Sequence, residues 1–434
     1  LIIIVRMIYI SNVFKYRNKI KMELNNTLED KNLSIQHSLI VSRIEDKIKS
    51  YQNLVKILYE MPDESILVGG FIRDIILDRL NPYPDIDIVL PRNSIEFGKS
   101  ISEKYSGKFL ILDQDRKIVR IIFCNYIIDL ANKTHELLDE DLKTRDLTIN
   151  SIGFSLDKRK LIDPANGIYD LNNSLLRSLR NENLLSDPLR ILRCFRFMSE
   201  LNFHIEPNIL EFIELNKFQL KYVSVERIQY ELKKIVYGKE ALKTVEFLNK
   251  IKIFDWIQSY ENNNSNKLIF ANFDNFFQDE IDRFFPIAYL KELLKEPVIK
   301  KFKFSKSDSL AISSLRRWTQ KLTQKSIMNF TEIERFQLHK DLEMILPAFI
   351  VYLPKKYHKE WLHRWRNNKD KLFHPRKFIN GNQLKNIVGI EDGPLLGDLL
   401  NYLSREFAYE RLNNFDEAIY KAKGWFQQNA PKCD

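Results

Sequence analysis

The sequence predicts an α+β protein in which a small α/β domain is followed by an extended all-α region. Short apolar runs alternate with helical patterns up to about residue 155, whereas strand signals become rare beyond about residue 170. The 434-residue chain has only 12 glycines and 14 prolines, and 44% of its residues are hydrophobic. This composition is typical of a folded and mostly helical protein, and the length predicts two to four domains.

The predicted α/β domain begins with a helix over residues 38–60 and then alternates strands with helices. Several apolar runs are short and bounded by turn residues, which favours strands over helices. The predicted strands are Ile66–Val68, Ile86–Leu90, Phe109–Leu112, Lys117–Phe123 and Tyr126–Leu130, and the predicted helices are Phe71–Leu80 and Ile95–Tyr105.

In the remainder of the chain, apolar periodicity predicts long helices, and the polar run Glu261–Asn266 predicts a loop or domain boundary. The predicted helices are Pro188–Leu201, Pro207–Leu215, Val225–Val236 and Ala241–Leu248. We expect a mis-started or disordered extension, since the chain lacks an initial Met. The expected segments are this extension (1–37), an α/β head (38–155), and a helical neck (156–250), body (251–354) and tail (355–434).

Charge and cysteine usage narrow the class of protein. The 68 basic and 58 acidic residues give a net charge of +10, which favours a polyanionic partner without identifying one. The three cysteines are far apart and lack CxxC spacing, which argues against a zinc site or a disulfide framework. They fit a reducing compartment, so we expect a cytoplasmic protein. Residues 1–14 are apolar but short and interrupted by Arg6, so no membrane span is predicted.

The segment from Leu67 to Leu90 carries the strongest chemical signal. Asp85 and Asp87 alternate with isoleucines, so both carboxylates lie on one strand face, where a divalent cation such as Mg²⁺ would relieve their repulsion. Upstream, Gly69 and Gly70 allow the backbone to approach a bulky anion. Arg73 carries a charge that suits that anion. A phosphate cradle and a metal site so close together indicate a nucleotide substrate.

Two further segments extend this site. Asp129 lies within a predicted strand, where it completes the metal site or, alternatively, is an exposed polar residue on an edge strand. Farther along, four charged residues recur at intervals of three and therefore lie on one helical stripe. They either read a base and its phosphates or form a solvated face paired with acids elsewhere. These residues are Asp187, Arg190, Arg193 and Arg196.

The ordered motifs resemble the class II tRNA nucleotidyltransferase and poly(A) polymerase family, which includes bacterial CCA-adding enzymes. The motifs cover most of residues 65–425. The resemblance implies a polymerase-β-type nucleotidyltransferase head. The matching residues are Gly69-Gly70-x-x-Arg73-Asp74, Asp85-x-Asp87, Arg145-Asp146 with Thr148-Ile149-Asn150, Asp163 to Asp170-Leu171, Asp187 to Phe197, Glu226-Arg227-Ile228 with Glu231-Leu232, and Asn380-Gly381 to Gly397.

The resemblance also implies roles for individual residues. Asp85 and Asp87 bind Mg²⁺, and Asp129 stands at the third carboxylate position. The implied partners are the tRNA 3′ end and CTP or ATP, with Asp187 and Arg190 as a protein template that reads the base. The other implied nucleotide-binding residues are Gly69, Gly70, Arg73, Arg145, Asp146, Asn150, Arg193 and Arg196.

The departures from the family pattern bear on base choice. Thr144 replaces the first Arg of the RRD motif, and Ser186 replaces a Glu that would help to orient the template. Enzymes of the family that add all of CCA usually carry a long flexible loop before the RRD motif, whereas only residues 130–144 separate Asp129 from Arg145. We therefore expect addition of CC rather than CCA. The alternatives are addition of the full CCA, a poly(A) polymerase and, more remotely, a non-catalytic RNA-binding protein.

Basic clusters interleaved with aromatic residues occur between residues 300 and 366 and favour contact with RNA. For each of these residues taken singly, helix packing is the alternative. The basic residues concerned are Lys300, Lys301, Arg316, Arg317, Arg364 and Arg366.

Overall fold

A computed structural model describes residues 36–79, 81–258 and 273–429. The predicted N-terminal extension (apart from residues 36 and 37) and the predicted loop Glu261–Asn266 lie outside these ranges. The strands are β1 (Ile66–Val68), β2 (Asp85–Leu90), β3 (Lys108–Asp113), β4 (Ile118–Phe123), β5 (Tyr126–Asn132), β6 (Gly153–Ser155), β7 (Lys160–Ile162), β8 (Leu175–Leu176) and β9 (His204–Ile205).

Seven of the strands form one mixed sheet in the order β3-β4-β5-β2-β1-β6-β7. Strands β2 and β5 are parallel, and the other neighbours in this sheet are antiparallel. Strands β8 and β9 form a separate parallel pair. The sheet therefore places β2 and β5, which carry the predicted carboxylates, beside each other at its centre.

The helices follow the predicted periodicity over most of the described chain. They are α1 (36–50), α2 (Gln52–Leu58), α3 (Gly70–Ile76), α4 (Ser94–Lys104), α5 (Leu138–Leu142), α6 (Gly167–Asn172), α7 (Asn181–Ser186), α8 (Leu189–Leu201), α9 (Pro207–Asn216), α10 (Val225–Val236), α11 (Ala241–Lys250), α12 (Gln278–Leu293), α13 (Glu296–Lys301), α14 (Lys306–Gln324), α15 (Glu332–Leu342), α16 (Leu346–Ile350), α17 (Lys355–Arg366), α18 (Gly381–Val388), α19 (Pro394–Ala408) and α20 (Phe415–Asn429). Short 3₁₀ helices lie at Thr148–Asn150, Lys217–Tyr222, Ile327–Asn329 and Glu343–Ile345.

The chain divides into two compact units. The first comprises Leu1–Arg190 and Phe203–Ile213, and the second comprises Ile191–Asn202 and Glu214–Asp434. The seven-stranded sheet belongs to the first unit, and the described residues of the second unit contain helices without any strand. The predicted α+β class, with a mixed-sheet head followed by many helices, is confirmed.

Helix α4 covers one face of the sheet, and the two faces differ in polarity. Gly98 of α4 packs against Val119 and Leu130, so this helix covers the apolar face. Val119 and Leu130 are fully buried. Because successive strand residues point to opposite faces, the neighbouring positions Arg120 and Asp129 lie on the other face. Arg120 and Asp129 therefore lie on the face of the sheet that α4 does not cover.

Three local predictions differ from the structure. The helix predicted over residues 38–60 is divided at Tyr51 into α1 and α2. Strands β6 and β7 were not predicted, because segments of three residues are too short to show alternation. The stretch Asp163–Arg177, which reads as a turn-rich connector, contains α6 and β8. Within the described ranges, no helix has the length and apolarity needed to cross a bilayer.

Candidate nucleotide-binding site

The centre of the candidate site is a row of carboxylates on the open face of the sheet. Asp85 is exposed and Asp87 is half-buried, while Ile86 and Ile88 between and after them are buried on the other face, as the alternation predicts. Asp129 lies opposite Asp87 because β2 and β5 pair in parallel with these residues in register. Since β5 has neighbours on both sides, the alternative that Asp129 lies on an edge strand is wrong.

Arg120 also belongs to this row, although the sequence analysis did not identify it. It lies opposite Asp129 in the antiparallel β4–β5 pair, and its Nε and Nη2 each donate to a different oxygen of Asp129 at 2.8 Å. The hydrogen bonds to Asp129 raise the pKa of the Arg120 guanidinium, and Asp85 and Asp87 raise it further by their charges. Asp129 is therefore neutralised by a bidentate ion pair.

This ion pair bears on the predicted metal site. Within the described ranges, no group of three or more His, Cys, Asp or Glu side chains is placed to hold a metal ion. Both oxygens of Asp129 accept hydrogen bonds from Arg120, and the role of Asp129 as a third carboxylate of the metal site stays a prediction. Asp85 and Asp87 remain as two hard oxygen donors side by side on one strand, which suits a hydrated Mg²⁺ ion.

Gly69 brings the second predicted group, Arg145, to the carboxylates. It follows β1 with φ of 75°, a conformation that favours glycine. A Cβ atom at Gly69 would lie 2.8 Å from Asp87 Oδ2 and 3.2 Å from Arg145 Nη1. The carboxylate and the guanidinium thus converge on the surface of a residue that has no side chain.

Arg73 is part of a buried network. Its Nη1 donates to Asn150 Oδ1 at 2.7 Å, and its Nε donates to Asp74 Oδ1 at 3.0 Å. Asn150 in turn donates from Nδ2 to Asp146 Oδ1 at 2.9 Å. With an exposed fraction of only 7%, Arg73 joins the glycine segment to the Asp146–Asn150 segment. Its predicted contact with a triphosphate stays a prediction.

The connector Asp163–Arg177, which follows the head, packs against the Asp146–Asn150 segment. Gly167 approaches the backbone so closely that a Cβ there would lie 2.3 Å from the Thr148 carbonyl oxygen. Asp163 accepts hydrogen bonds from the backbone N–H groups of Gly167 and Ile168 at 2.7 and 2.9 Å. Thr148 donates to the fully buried Asp170, which also pairs with Arg177 at 3.0 Å. The connector therefore has a structural role beneath the site.

Asp187 and Arg190 lie at the junction of α7 and α8. Asp187 has φ of −143° and ψ of 97° and so precedes the helix, which corrects the expectation that it lies on the helical stripe. The reason is Pro188, because a residue that precedes proline avoids the helical conformation. Arg190 Nη1 donates to the carbonyl oxygens of Thr144 and Asn183, each at 3.0 Å.

Arg193 and Arg196 lie in the second unit. Arg196 is 7% exposed, and its Nη1 donates to Glu231 Oε1 at 3.1 Å. Burial raises the pKa of Glu231, while Arg196 acts in the opposite direction. The ERIxxEL motif therefore supplies a buried partner for the arginine, and a nucleotide contact by either arginine stays a prediction.

Two family models match successive parts of the chain. A family model described as "Poly A polymerase head domain" matches residues 65–177. A second model, described as "Probable RNA and SrmB- binding site of polymerase A", matches residues 202–260. The first match contains both the carboxylate row and Arg145.

Individual relatives cover nearly the whole chain. A CC-adding tRNA nucleotidyltransferase of Synechocystis sp. is 28% identical over 84% of this chain and 94% of its own length. A CCA-adding enzyme of Ligilactobacillus salivarius is 25% identical over 88% of this chain and 97% of its own length. A solved Thermotoga maritima CCA-adding enzyme complexed with tRNA has the same fold, with a TM-score of 0.63 at 23% identity over 83% of this chain and 91% of that one.

Proposed function

The chain belongs to the family of class II tRNA nucleotidyltransferases and poly(A) polymerases, and on that premise we propose that it adds CMP from CTP to the 3′ end of tRNA. No nucleic-acid template directs the addition. The terminal 3′-hydroxyl attacks the α-phosphate of the incoming nucleotide, the bond to the β-phosphate breaks, and pyrophosphate leaves. A tRNA substrate agrees with the predicted cytoplasmic location.

The observation that carries this proposal is the convergence of the predicted groups within the first unit. Gly69 brings Arg145 Nη1 and Asp87 Oδ2 together, and the neighbouring Thr144 carbonyl accepts from Arg190. A nucleotide whose phosphates lie by Arg145 and the carboxylates would therefore have its base on the side of Arg190. The same short segment of chain thus serves both ends of the nucleotide.

The family generally needs a divalent metal, and we propose Mg²⁺ held by Asp85 and Asp87. The donor set fits, because both side chains offer carboxylate oxygens on one face of β2. When bound, the cation would supply electrostatic activation of the attacking hydroxyl and stabilisation of the leaving pyrophosphate. In this proposal, Arg120 keeps Asp129 neutralised beside the site, and Arg145 binds the triphosphate.

We propose that Asp187 and Arg190 read the base. An Asp acceptor and an Arg donor can together satisfy the hydrogen-bonding edge of cytosine, and a good bidentate contact discriminates between bases by roughly 1–3 kcal/mol. Arg190 suits this role because its Nη1 is held in place by the carbonyl oxygens of Thr144 and Asn183.

The short segment after Asp129 supports CC addition rather than CCA addition. Strand β5 continues to Asn132, and α5 begins at Leu138. Between them, Thr134 donates from both its backbone N–H and its hydroxyl to Asp141 Oδ1, at 2.7 and 2.6 Å. These bonds close the connection tightly, and no long loop precedes Arg145. The similarity to a CC-adding enzyme over 84% of the chain supports the same conclusion.

The test is nucleotide addition to tRNA transcripts that lack CCA, end in C, or end in CC, with each labelled NTP supplied separately. We expect CMP addition to the first two transcripts and no AMP addition after CC. Removal of the divalent ion by a chelator should stop the reaction, and Mg²⁺ should restore it. Efficient AMP addition after CC would instead show a full CCA-adding enzyme, and long tails on oligo(A) would show a poly(A) polymerase.

Carboxylate variants test the site itself. Asp85→Asn and Asp87→Asn should each lower kcat by about a thousandfold, because the metal loses a charged ligand. Binding of tRNA, measured by filter retention, should stay close to the wild-type value. Asp115→Asn is the matched control, since Asp115 is exposed in the turn between β3 and β4 of the same sheet. Wild-type activity in either site variant would refute the metal assignment.

A further inference from the structure

Asn183, which the motifs do not include, lies at the centre of the contacts between Arg145 and Arg190. Its side-chain Nδ2 donates to the backbone carbonyl oxygens of Lys143 and Arg145, both at 2.8 Å. Its own carbonyl oxygen accepts from Arg190 Nη1 at 3.0 Å, and the same Nη1 donates to the Thr144 carbonyl oxygen at 3.0 Å. The carbonyl oxygens of three successive residues, 143 to 145, are thus bound by Asn183 and Arg190 together.

We propose that Asn183 is a positioning residue that fixes Arg190 relative to Arg145 and thereby determines base selectivity. This inference rests on the proposed nucleotide-adding function. A guanidinium is planar, so two acceptors on one of its nitrogens restrict the orientation of the whole group. Asn183 provides one of these acceptors directly, and it holds the backbone on both sides of Thr144, which provides the other.

The chemistry of the contact requires an amide. Asn183 donates both hydrogens of one nitrogen, and only an amide or a charged side chain can supply two donors from a single nitrogen. A carboxylate of the same shape would place acceptor oxygens against two carbonyl oxygens, which repels the segment. Asn183 is partly buried, so water compensates only in part for the lost bonds.

The replacement of the family's Glu by Ser186 supports this inference. The family pattern has Glu there, where a carboxylate would orient the template, whereas this chain has Ser186. The Ser186 hydroxyl lies 3.5 Å from Arg190 Nη1, at the limit of a hydrogen bond, and it donates to the Asn183 carbonyl oxygen at 2.9 Å. The carbonyl oxygens that Asn183 provides and holds therefore contribute directly to the orientation of Arg190.

The decisive variant is Asn183→Asp, with Asn181→Asp as its control. Asn181 lies on the same helix, and no hydrogen bond of its side chain occurs within the described ranges. For Asn183→Asp, we expect the KM for CTP to rise about tenfold and the preference for CTP over UTP in kcat/KM to fall about tenfold, because a displaced template arginine discriminates less well. The control should keep the wild-type values of both quantities.

A merely structural role would lower kcat equally for all nucleotides and leave the preference unchanged, and that result would overturn the proposal. Nucleotide binding without tRNA, measured by calorimetry for CTP and UTP, should show the same loss of preference. If Asn183→Asp does not fold, Asn183→Gln decides, since it keeps both donors but moves them by one methylene: an altered preference supports the proposal, and a wild-type preference refutes it. Failure of the proposed function is separate, because wild-type protein would then add no CMP.

Discussion

Gly69 is the residue on which the proposed catalytic and nucleotide-binding groups of the head depend most directly. Its φ of 75° disfavours any other residue, and its Cα faces both Asp87 and Arg145. Gly70, the next residue, has more room, since a Cβ there would meet only Arg73, at 3.5 Å or more. The two glycines of the motif thus have different physical requirements.

We predict that Gly69→Ala lowers kcat at least a hundredfold, because the added methyl group would displace the Asp87 carboxylate from its 2.8 Å approach. With φ of 75° and ψ of −136°, the Gly69 backbone lies in a region that other residues rarely adopt, which adds strain of roughly 1–3 kcal/mol to the folded state. Single-turnover CMP addition and thermal unfolding together measure the two effects. Gly424→Ala is the control, because nothing lies within 4 Å of that Cβ position in α20. An active Gly69→Ala enzyme would contradict the close approach.

The contacts of Arg120 and Arg73 differ in whether the sequence could predict them. Strands predicted up to Phe123 and from Tyr126 leave a two-residue turn, and that connection places Arg120 opposite Asp129. The Arg120–Asp129 ion pair could therefore be predicted from the sequence pattern. The Arg73–Asn150 hydrogen bond could not be predicted in this way, because it joins residues 77 positions apart. It depends on the pairing of β1 with the three-residue strand β6, which has no periodic signal.

At the scale of elements, residues of the motifs after the head form contacts between neighbouring helices. The apolar and basic periodicity of α8 predicted the helix, but not the side chain that would cover its arginines. Glu231 of α10 takes that position against Arg196, and Ser199 of α8 donates to the Ile235 carbonyl oxygen at 2.6 Å. Sequence periodicity identifies which face is buried, and the partner depends on tertiary contacts that periodicity does not encode.

Helix α15 contains a buried histidine that should make stability depend on pH. His339 packs between Trp361 and Phe373, with ring centroids 5.3 and 4.1 Å away, and burial lowers its pKa to about 3. The unfolded chain binds this proton near pH 6.5, so acidification favours unfolding. We predict a loss of about 2 kcal/mol in the free energy of unfolding between pH 7 and pH 5 from this residue alone.

Urea unfolding at the two pH values measures that loss. His339→Phe should remove it, because the variant has no titrating group at this position. His363→Gln, at an exposed position on α17, is the matched control and should keep the wild-type dependence. Equal pH dependence in the wild type and His339→Phe would show that the buried histidine is not responsible.

At the scale of the whole molecule, the net charge of +10 is not concentrated in the basic clusters that the sequence highlights. Four arginines from these clusters bind carboxylates instead: Arg316 pairs with Glu296, Arg317 with Asp341, Arg364 with Asp370 and Arg366 with Glu280. For these arginines, helix packing is the better interpretation. Lys300 and Lys301 differ, since both are exposed at the end of α13 and neither pairs with a carboxylate in the described part of the chain.

This division predicts opposite effects of two sets of variants. Arg366 binds the buried Glu280 through two nitrogens, at 2.7 and 2.6 Å, and lies 3.8 Å from the centroid of Phe277. Arg366→Ala should therefore cost about 3 kcal/mol of stability, because it leaves a buried carboxylate without its partner. Where the protein stays folded, its tRNA affinity should keep the wild-type dependence on salt.

The double variant Lys300→Ala/Lys301→Ala should show the reverse. We expect a loss of stability of at most about 1 kcal/mol, because Lys301 lies 5.4 Å from the centroid of the Trp256 ring. Binding of tRNA should weaken. The slope of log affinity against log salt concentration should become smaller by about one to two, because fewer phosphate contacts release fewer counterions. Filter binding between 50 and 200 mM salt spans about the range in which such slopes are measured. An unchanged slope in the lysine variant, with a reduced slope in Arg366→Ala, would contradict the division. The paired arginines would then exchange their carboxylates for phosphates when RNA binds.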